Sequence, residues 1–295
     1  MTSRLVLGAA NYGKLTQIQV NKLLGTGFEQ GINRIDTAHG YEGSEEKIGL
    51  FLQTNKNFEV NTKVGLPDPA VFTPSGIKLS IEDSLKRLRI ESLGTLFVHS
   101  LPAAHLTDEN IDAMISPRTD GKIKRIGYAG DGDNLSCAIE IDAFDDFIAT
   151  FNIIDQSNSK EIKKASEESN IYYKLAMGQA VWTSLKWNRR LKSHKLIRFL
   201  FNKPPVPESW ADYCARFNSL KSEMGNKNFA TEFLRFSLFS GSSRQMVILG
   251  TNSPKHVLDA IKIELEQLNG NSIEIVRYED LWLRKSSPEW KAHIG

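Results

Sequence analysis

Short apolar runs alternate along the chain with segments whose apolar residues recur every three or four positions. The runs that read as strands are Arg4 to Leu7, Asn33 to Asp36, Phe58 to Val64, Thr95 to His99, Ile123 to Ala129, Phe147 to Ile153, Ile171 to Met177 and Met246 to Gly250. Between them, Ile77, Ile81, Leu85 and Leu88 give Ser75 to Arg89 one buried helical face, and Val257, Ile261, Leu265 and Leu268 do the same for Pro254 to Leu268. Ser44 to Leu52 opens on a capping residue and two acids, as a helix start favours, and Phe229 to Phe239 is a further helix. A βαβα rhythm builds a parallel sheet covered by helices. Eight strands, each followed by a helix within about 250 residues, is the arithmetic of a TIM barrel. The fold expected is therefore α/β, a single (β/α)8 barrel spanning residues 1–295.

One region breaks the rhythm. Thr183 to Gly225 is too long for an ordinary βα connection. It carries Lys186, Arg189, Arg190, Lys192, Lys195, Arg198 and Lys203, then Pro204, Pro205 and Pro207. In a barrel, such an insertion sits at the face where chemistry occurs, so it either covers an anionic ligand such as a pyrophosphate or is simply a solvated basic loop.

Composition narrows the class. With 40% hydrophobic and 24% charged residues among 295, the chain can bury a sizeable core. Lys and Arg number 37 against 35 Asp and Glu, so no global field points to nucleic acid or an anionic membrane. The first apolar stretch, Leu5 to Ala10, is too short for a signal core or a membrane span. Two distant cysteines, Cys137 and Cys214, argue against a disulfide framework or thiolate metal site and fit a reducing cytoplasm. No metal is expected, and the oligomeric state stays open.

Two nucleotide motifs fail on inspection. GAANYGK at Gly8 to Lys14 has P-loop spacing up to its Lys, but Leu15 stands where Mg²⁺ needs a hydroxyl. Gly127, Gly130 and Gly132 lack the G-x-G-x-x-G spacing.

The informative residues lie at strand ends. Asp36 closes the second predicted strand, with Tyr41 five residues later; Lys63 lies at the end of the third and His99 ends the fourth. All four are expected at the C-terminal mouth of the barrel. Singly each has a structural explanation, as a cap, loop packing, a snorkelling strand end or a core histidine. Together they form a coherent set for carbonyl reduction: Tyr41 as proton donor, Lys63 lowering its pKa, Asp36 pairing with Lys63, and His99 fixing the carbonyl oxygen. Tyr12 and Trp182 are expected to border a pocket for a small carbonyl compound.

These residues carry a resemblance to the aldo-keto reductase family, nicotinamide-dependent reductases built on a TIM barrel. The matching pieces are D-T-A-x-x-Y-E-x-S-E-E-x-I-G at Asp36 to Gly49, T-K-V-G at Thr62 to Gly65, the run from Ser84 to His99, G-K-I-K-R-I-G at Gly121 to Gly127, and I-L-G-T-N-S-P-x-H-V at Ile248 to Val257. The resemblance implies that Tyr41 is the general acid, tuned by Lys63 and Asp36, with His99 orienting the carbonyl and NADPH, or else NADH, supplying hydride. It further implies cofactor contacts from Asn152, Met177, Thr251, Asn252, Lys255 and His256. Departures accompany the matches. The family's Ser-Asn pair after the fifth strand is replaced by Ala129, Gly130 and Asp131, its Gln by Asn152, and its stacking aromatic by Met177 or Gln179. The N-terminal hairpin that plugs the barrel bottom is reduced to Met1 to Ser3, so other groups are expected to cover that end. An altered carboxamide site leaves a second possibility, a cofactor-binding barrel that acts as a sensor or interaction module.

Overall fold

Eight parallel strands close into a barrel in the computed structural model, which describes residues 3–55, 57–180, 216–218, 220–221, 224–225, 227–240 and 244–268. The strands are β1 (Leu5–Gly8), β2 (Arg34–Asp36), β3 (Glu59–Val64), β4 (Leu93–His99), β5 (Ile123–Ala129), β6 (Asp146–Thr150), β7 (Asn170–Lys174) and β8 (Gln245–Gly250). They pair in chain order, and β8 closes on β1 with Leu5 beside Val247. Outside them run α1 (Gln17–Glu29), α2 (Ser44–Leu52), α3 (Pro74–Leu88), α4 (Asp108–Thr119), α5 (Gly132–Ile139), α6 (Ser159–Ala165), α7 (Phe229–Phe239) and α8 (Pro254–Leu268).

Local chemistry sets several of these boundaries. Thr16 and Gln19 form a reciprocal capping box at the start of α1, and Thr73 and Thr107 cap α3 and α4 through the Gly76 and Asn110 N–H groups. The predicted face of α3 is buried as expected, at Ile77, Ile81, Leu85 and Leu88. That of α8 is not. Leu265 is 52% exposed, and the buried stripe runs through Val257, Ala260, Ile261 and Glu264. A true 3.6-residue period returns to the starting face after seven residues, not eight, which selects position 264. Its carboxylate is held there by the Ser3 hydroxyl and the Arg4 N–H, both at 2.6 Å.

Two strands are shorter than predicted. β6 stops at Thr150 because Asn152 and Asp155 bond to each other's backbone in a tight turn. β7 stops at Lys174 because Leu175 takes a left-handed conformation, φ 55°, and the chain turns at Gly178–Ala180. The apolar residues beyond each end pack under these turns instead of extending the sheet.

The barrel interior is layered. Val6, Phe97, Ala129, Ile148, Tyr172 and Met246 fill the middle as one apolar cluster, separate from the larger one between strands and helices. Below it, at the N-terminal ends of the strands, the layer is polar. Asp146, fully buried, accepts from Arg125 Nε at 2.8 Å, Asn170 Nδ2 at 2.8 Å and the Thr95 hydroxyl. Arg125 also reaches Glu59, and the Asn61 side-chain carbonyl accepts the Thr95 N–H at 2.9 Å. These groups fill the barrel interior at that end. Burial works against the Arg125 charge, but Asp146 and Glu59 outweigh it and hold the guanidinium above its usual range.

Removing the carboxylate charge therefore leaves Arg125 three-quarters buried with half its partners. Asp146→Asn is expected to lower the unfolding free energy by about 3 kcal/mol in urea titration, whereas Glu82→Ala, at an exposed pair with Lys122, leaves it nearly unchanged.

Candidate active site

Asp36, Lys63 and His99 reach the C-terminal mouth because they sit at or next to the last residues of β2, β3 and β4. Asp36 lies beside Asn61 in the sheet, and two residues further along β3 the side-chain alternation returns Lys63 to the same interior face. Lys63 Nζ lies 2.7 Å from both Asp36 oxygens and donates to the Thr37 carbonyl at 2.6 Å. The pair is nearly dry, with side-chain exposures of 4% and 6%.

Tyr41 comes from the loop between β2 and α2, and that loop is clamped on every side. The Thr37 and His39 N–H groups bond to the Asn61 and Lys63 carbonyls, continuing the β3 ladder. The Ser44 hydroxyl meets Thr37 Oγ1 at 2.9 Å and donates to the Ala9 carbonyl at 3.0 Å. Lys47 Nζ gathers the Gly13 and Leu15 carbonyls of the preceding turn. A side chain at Gly13 would collide with the Glu42 carbonyl, and one at Gly40 would come within 2.6 Å of the Leu66 carbonyl. Behind the loop, buried Glu45 accepts from Thr62 Oγ1 at 2.6 Å and Arg87 Nε at 2.8 Å, while Arg87 also meets His39 Nδ1.

So held, the Tyr41 ring has Lys63 Nζ 5.3 Å from its centroid and His99 edge-on at 5.7 Å. The four sequence-predicted residues thus converge. The net effect on the phenol differs from that of Lys63 alone. The Lys63 charge is the largest single influence on the Tyr41 phenol and lowers its pKa, but burial and the Asp36 charge together raise it further, so the net shift is upward. Asp36 opposes the ammonium's field at the phenol. Tyr41 is therefore protonated at neutral pH, the state a proton donor requires. Burial also pushes the Asp36 carboxyl up, against the pull of Lys63. For His99, burial first and then the Lys63 and Lys174 charges lower the pKa to about 4, with the Leu66 backbone pulling the other way. The ring is neutral at pH 7, and its buried Nδ1 has no well-formed hydrogen bond.

The remaining predicted residues are placed less uniformly. Thr251, Asn252, Lys255 and His256 gather at the start of α8, where Thr251 Oγ1 meets His256 Nδ1 and the Ser253 N–H, each at 3.1 Å. Lys255 and His256 are exposed there. Asn152 is buried with its amide engaged at both ends, donating to the Leu175 carbonyl and accepting the Ile154 N–H, each at 3.0 Å. Met177 packs against the outer apolar cluster. Tyr12 is 1% exposed and packs in the outer apolar cluster. Trp182 and residues 183–215 of the basic excursion lie outside the described residues, while Arg216, Phe217, Leu220 and Met224 at its far end are buried. No group of three metal-ligating side chains occurs among the described residues, and no helix there is long and apolar enough to cross a membrane.

One rim residue escaped the sequence reading, Lys174 at the end of β7, which pairs at 2.7 Å with Asp131 of the altered turn after β5. Its signal was available. Lys174 ends an apolar strand as Lys63 nearly ends its own, and period-2 alternation from buried Tyr172 turns it inward.

A profile of the Aldo/keto reductase family matches residues 4–278, so the chain belongs to that family. A D-threo-aldose 1-dehydrogenase from a Pseudomonas species is 27% identical over 202 residues, covering 55% of this chain and 61% of that relative's length. Among solved structures, the glycerol dehydrogenase of Gluconobacter oxydans superposes with a TM-score of 0.70 at 22% identity, over 97% of this chain and 93% of the other. An aldo-keto reductase from Klebsiella pneumoniae, solved in complex with NADPH, gives 0.68 at 17% identity over 95% and 91%.

His99 makes a test of the site's electrostatics. Its folded pKa of about 4 lies below the ordinary 6.5, so between those values the unfolded chain binds more protons. Its contribution to stability is intact above pH 6.5 and is lost as pH falls toward 4. Thermal unfolding across that window should show a steeper acid loss for wild type than for His99→Asn; parallel curves would count against the buried neutral ring.

Proposed function

We propose that the protein reduces the carbonyl of an aldehyde, ketone or sugar-like compound to an alcohol, using NADPH in preference to NADH. The observation that carries this reading is the convergence of Tyr41, the Lys63–Asp36 pair and neutral His99 on one dry barrel mouth. The mouth is suited to a nicotinamide dinucleotide. A side chain at Gly250 would meet no described residue within 4 Å, and next to it the positive end of the α8 dipole, with the exposed Lys255 side chain, offers a place for an anion. Thr251, Asn252, Lys255 and His256 would hold the adenosine phosphate there. The Lys255 ammonium favours the phosphorylated dinucleotide, and the Klebsiella relative's NADPH supports the same choice. The sugar substrate in the Pseudomonas relative's name supports the substrate class. An exposed free Cys137 suits a reducing cytoplasm.

When bound, the dinucleotide supplies hydride to the carbonyl carbon. The chain's own part is the proton and the charge. His99 donates a hydrogen bond to the carbonyl oxygen and fixes its direction, and Tyr41 passes its phenolic proton to that oxygen as negative charge develops. The phenolate left behind is stabilised by Lys63, whose ammonium Asp36 and the Thr37 carbonyl hold in place. Solvent then returns the proton to Tyr41.

Tyr41→Phe is expected to lower kcat for NADPH-dependent reduction of a panel of aldehydes by about a hundredfold or more, while the NADPH Kd measured by cofactor fluorescence stays within threefold. Unchanged turnover would remove Tyr41 as the acid. Lys255→Met should weaken NADPH binding by about tenfold and NADH binding by much less. A second reading, a cofactor-binding barrel without turnover, is favoured by the engaged Asn152 amide, and cofactor binding with no substrate-dependent NADPH oxidation across the panel would select it.

A further inference from the structure

Tyr41 and His99 define one half of the rim, above β2 to β4. The opposite half, above β5 to β7, carries an ammonium that the mechanism above does not use. Tyr172 belongs to the apolar cluster inside the barrel, and two residues further along β7 the same face presents Lys174, beside Thr150 in the sheet. Its side chain is 25% exposed, and its charge acts on both Asp36 and His99, so it faces the same mouth.

Lys174 is held by a carboxylate with nothing left to accept. Asp131 Oδ1 takes the Thr150 N–H at 2.7 Å and Asn158 Nδ2 at 2.9 Å; Oδ2 takes the Thr150 hydroxyl at 3.1 Å and lies 2.7 Å from Lys174 Nζ. Those four donors fill the lone-pair positions of a carboxylate. Asn158 is fixed in turn by the Thr150 carbonyl and the Gly132 N–H. Lys174 has three N–H bonds and, among the described residues, its only partner is Asp131. The result is an ammonium locked in place, with its charge balanced and two donors open.

We propose that Lys174 donates a hydrogen bond to the carboxamide oxygen of the nicotinamide, with Asp131 as the positioning residue. The assignment rests on the function proposed above. A carbonyl held by Tyr41 and His99 must receive hydride from a ring lying toward the other half of the rim. There Ala129 and Gly130 offer no polar side chain, the Asn152 amide is engaged at both ends, and the Thr150 hydroxyl is spent on Asp131. Because Asp131 neutralises the ammonium, the site suits a neutral acceptor such as an amide oxygen better than an anionic substrate.

The test is calorimetric titration of the full chain with NADPH and with its thionicotinamide analogue, whose sulfur accepts hydrogen bonds weakly. Wild type should bind the analogue about tenfold more weakly. Lys174→Met should weaken NADPH by about tenfold and the analogue by less than threefold, with Lys174→Arg restoring part of the loss. Asp131→Asn, which frees the ammonium to wander, should fall between. Equal affinities of wild type for the two dinucleotides would overturn the assignment without recourse to any variant. So would an unchanged NADPH affinity in Lys174→Met with a raised KM for carboxylate-bearing aldehydes, which would make this a substrate subsite. Wild type that binds neither NADPH nor NADH overturns the functional reading and this assignment with it.

Discussion

The arrangement of the mouth depends on a lysine and an aspartate that have both left water. Taking two such charges into a nearly dry site costs several kcal/mol per ion, about the size of the stability of a whole domain, unless geometry returns it. Here the return is visible: two carboxylate oxygens at 2.7 Å and a backbone carbonyl at 2.6 Å accept from Lys63, and Tyr41 hydrogen-bonds to it as well. An arrangement this satisfied has one orientation. It therefore fixes where positive charge lies relative to Tyr41, and does so before any ligand arrives. It also limits the effect, since Asp36 opposes the lowering of the phenol's pKa. The pair stabilises a phenolate once the proton has gone without removing the proton beforehand.

Preorganisation of this kind needs rigid walls, and the β2–α2 loop supplies them unusually for a loop. Its backbone extends the β3 ladder, its far end is tied to β1 through Ser44, and glycines at Gly13 and Gly40 allow backbone-to-backbone contact where any side chain would intrude. Arg87 on α3 reaches past Glu45 to His39, two residues from the phenol. The loop thus inherits the stiffness of the barrel. Holding reacting groups at fixed separations is where much of the rate enhancement in such sites comes from.

How legible this was in the sequence follows from which physical signals are local. Strand-end position and side-chain type are local, and they sufficed to assemble Asp36, Tyr41, Lys63 and His99 from four separate stretches. Helix periodicity was equally local, although α8 shows its limit: a tally of apolar residues took Leu265 as buried, whereas the helix buries Glu264 because Ser3 and Arg4, some 260 residues away, satisfy its carboxylate. The ends of β6 and β7 were misplaced because an apolar run does not show whether it stays in the sheet or folds beneath it. That error had a functional cost. Extending β7 to Met177 placed the inward position on the wrong residue and passed over Lys174. The partnership of Lys174 with Asp131 joins two strands that are not neighbours, so no spacing along the chain could have announced it.

The interior layering explains why two ion pairs on one rim make chemical sense. Beneath them Val6, Phe97, Ala129, Ile148, Tyr172 and Met246 form an apolar floor, and the charged groups of the barrel's other end lie on its far side. Such a floor keeps the local dielectric low, so each charge acts strongly over short distances. Yet Lys63 is matched by Asp36 and Lys174 by Asp131, so the set carries no net charge. These two pairs do not of themselves attract an ion. They present steep fields that change sign within a few ångströms, and what such fields order best is a dipole: under the proposed function, the carbonyl of the substrate on one half and the amide of the nicotinamide on the other.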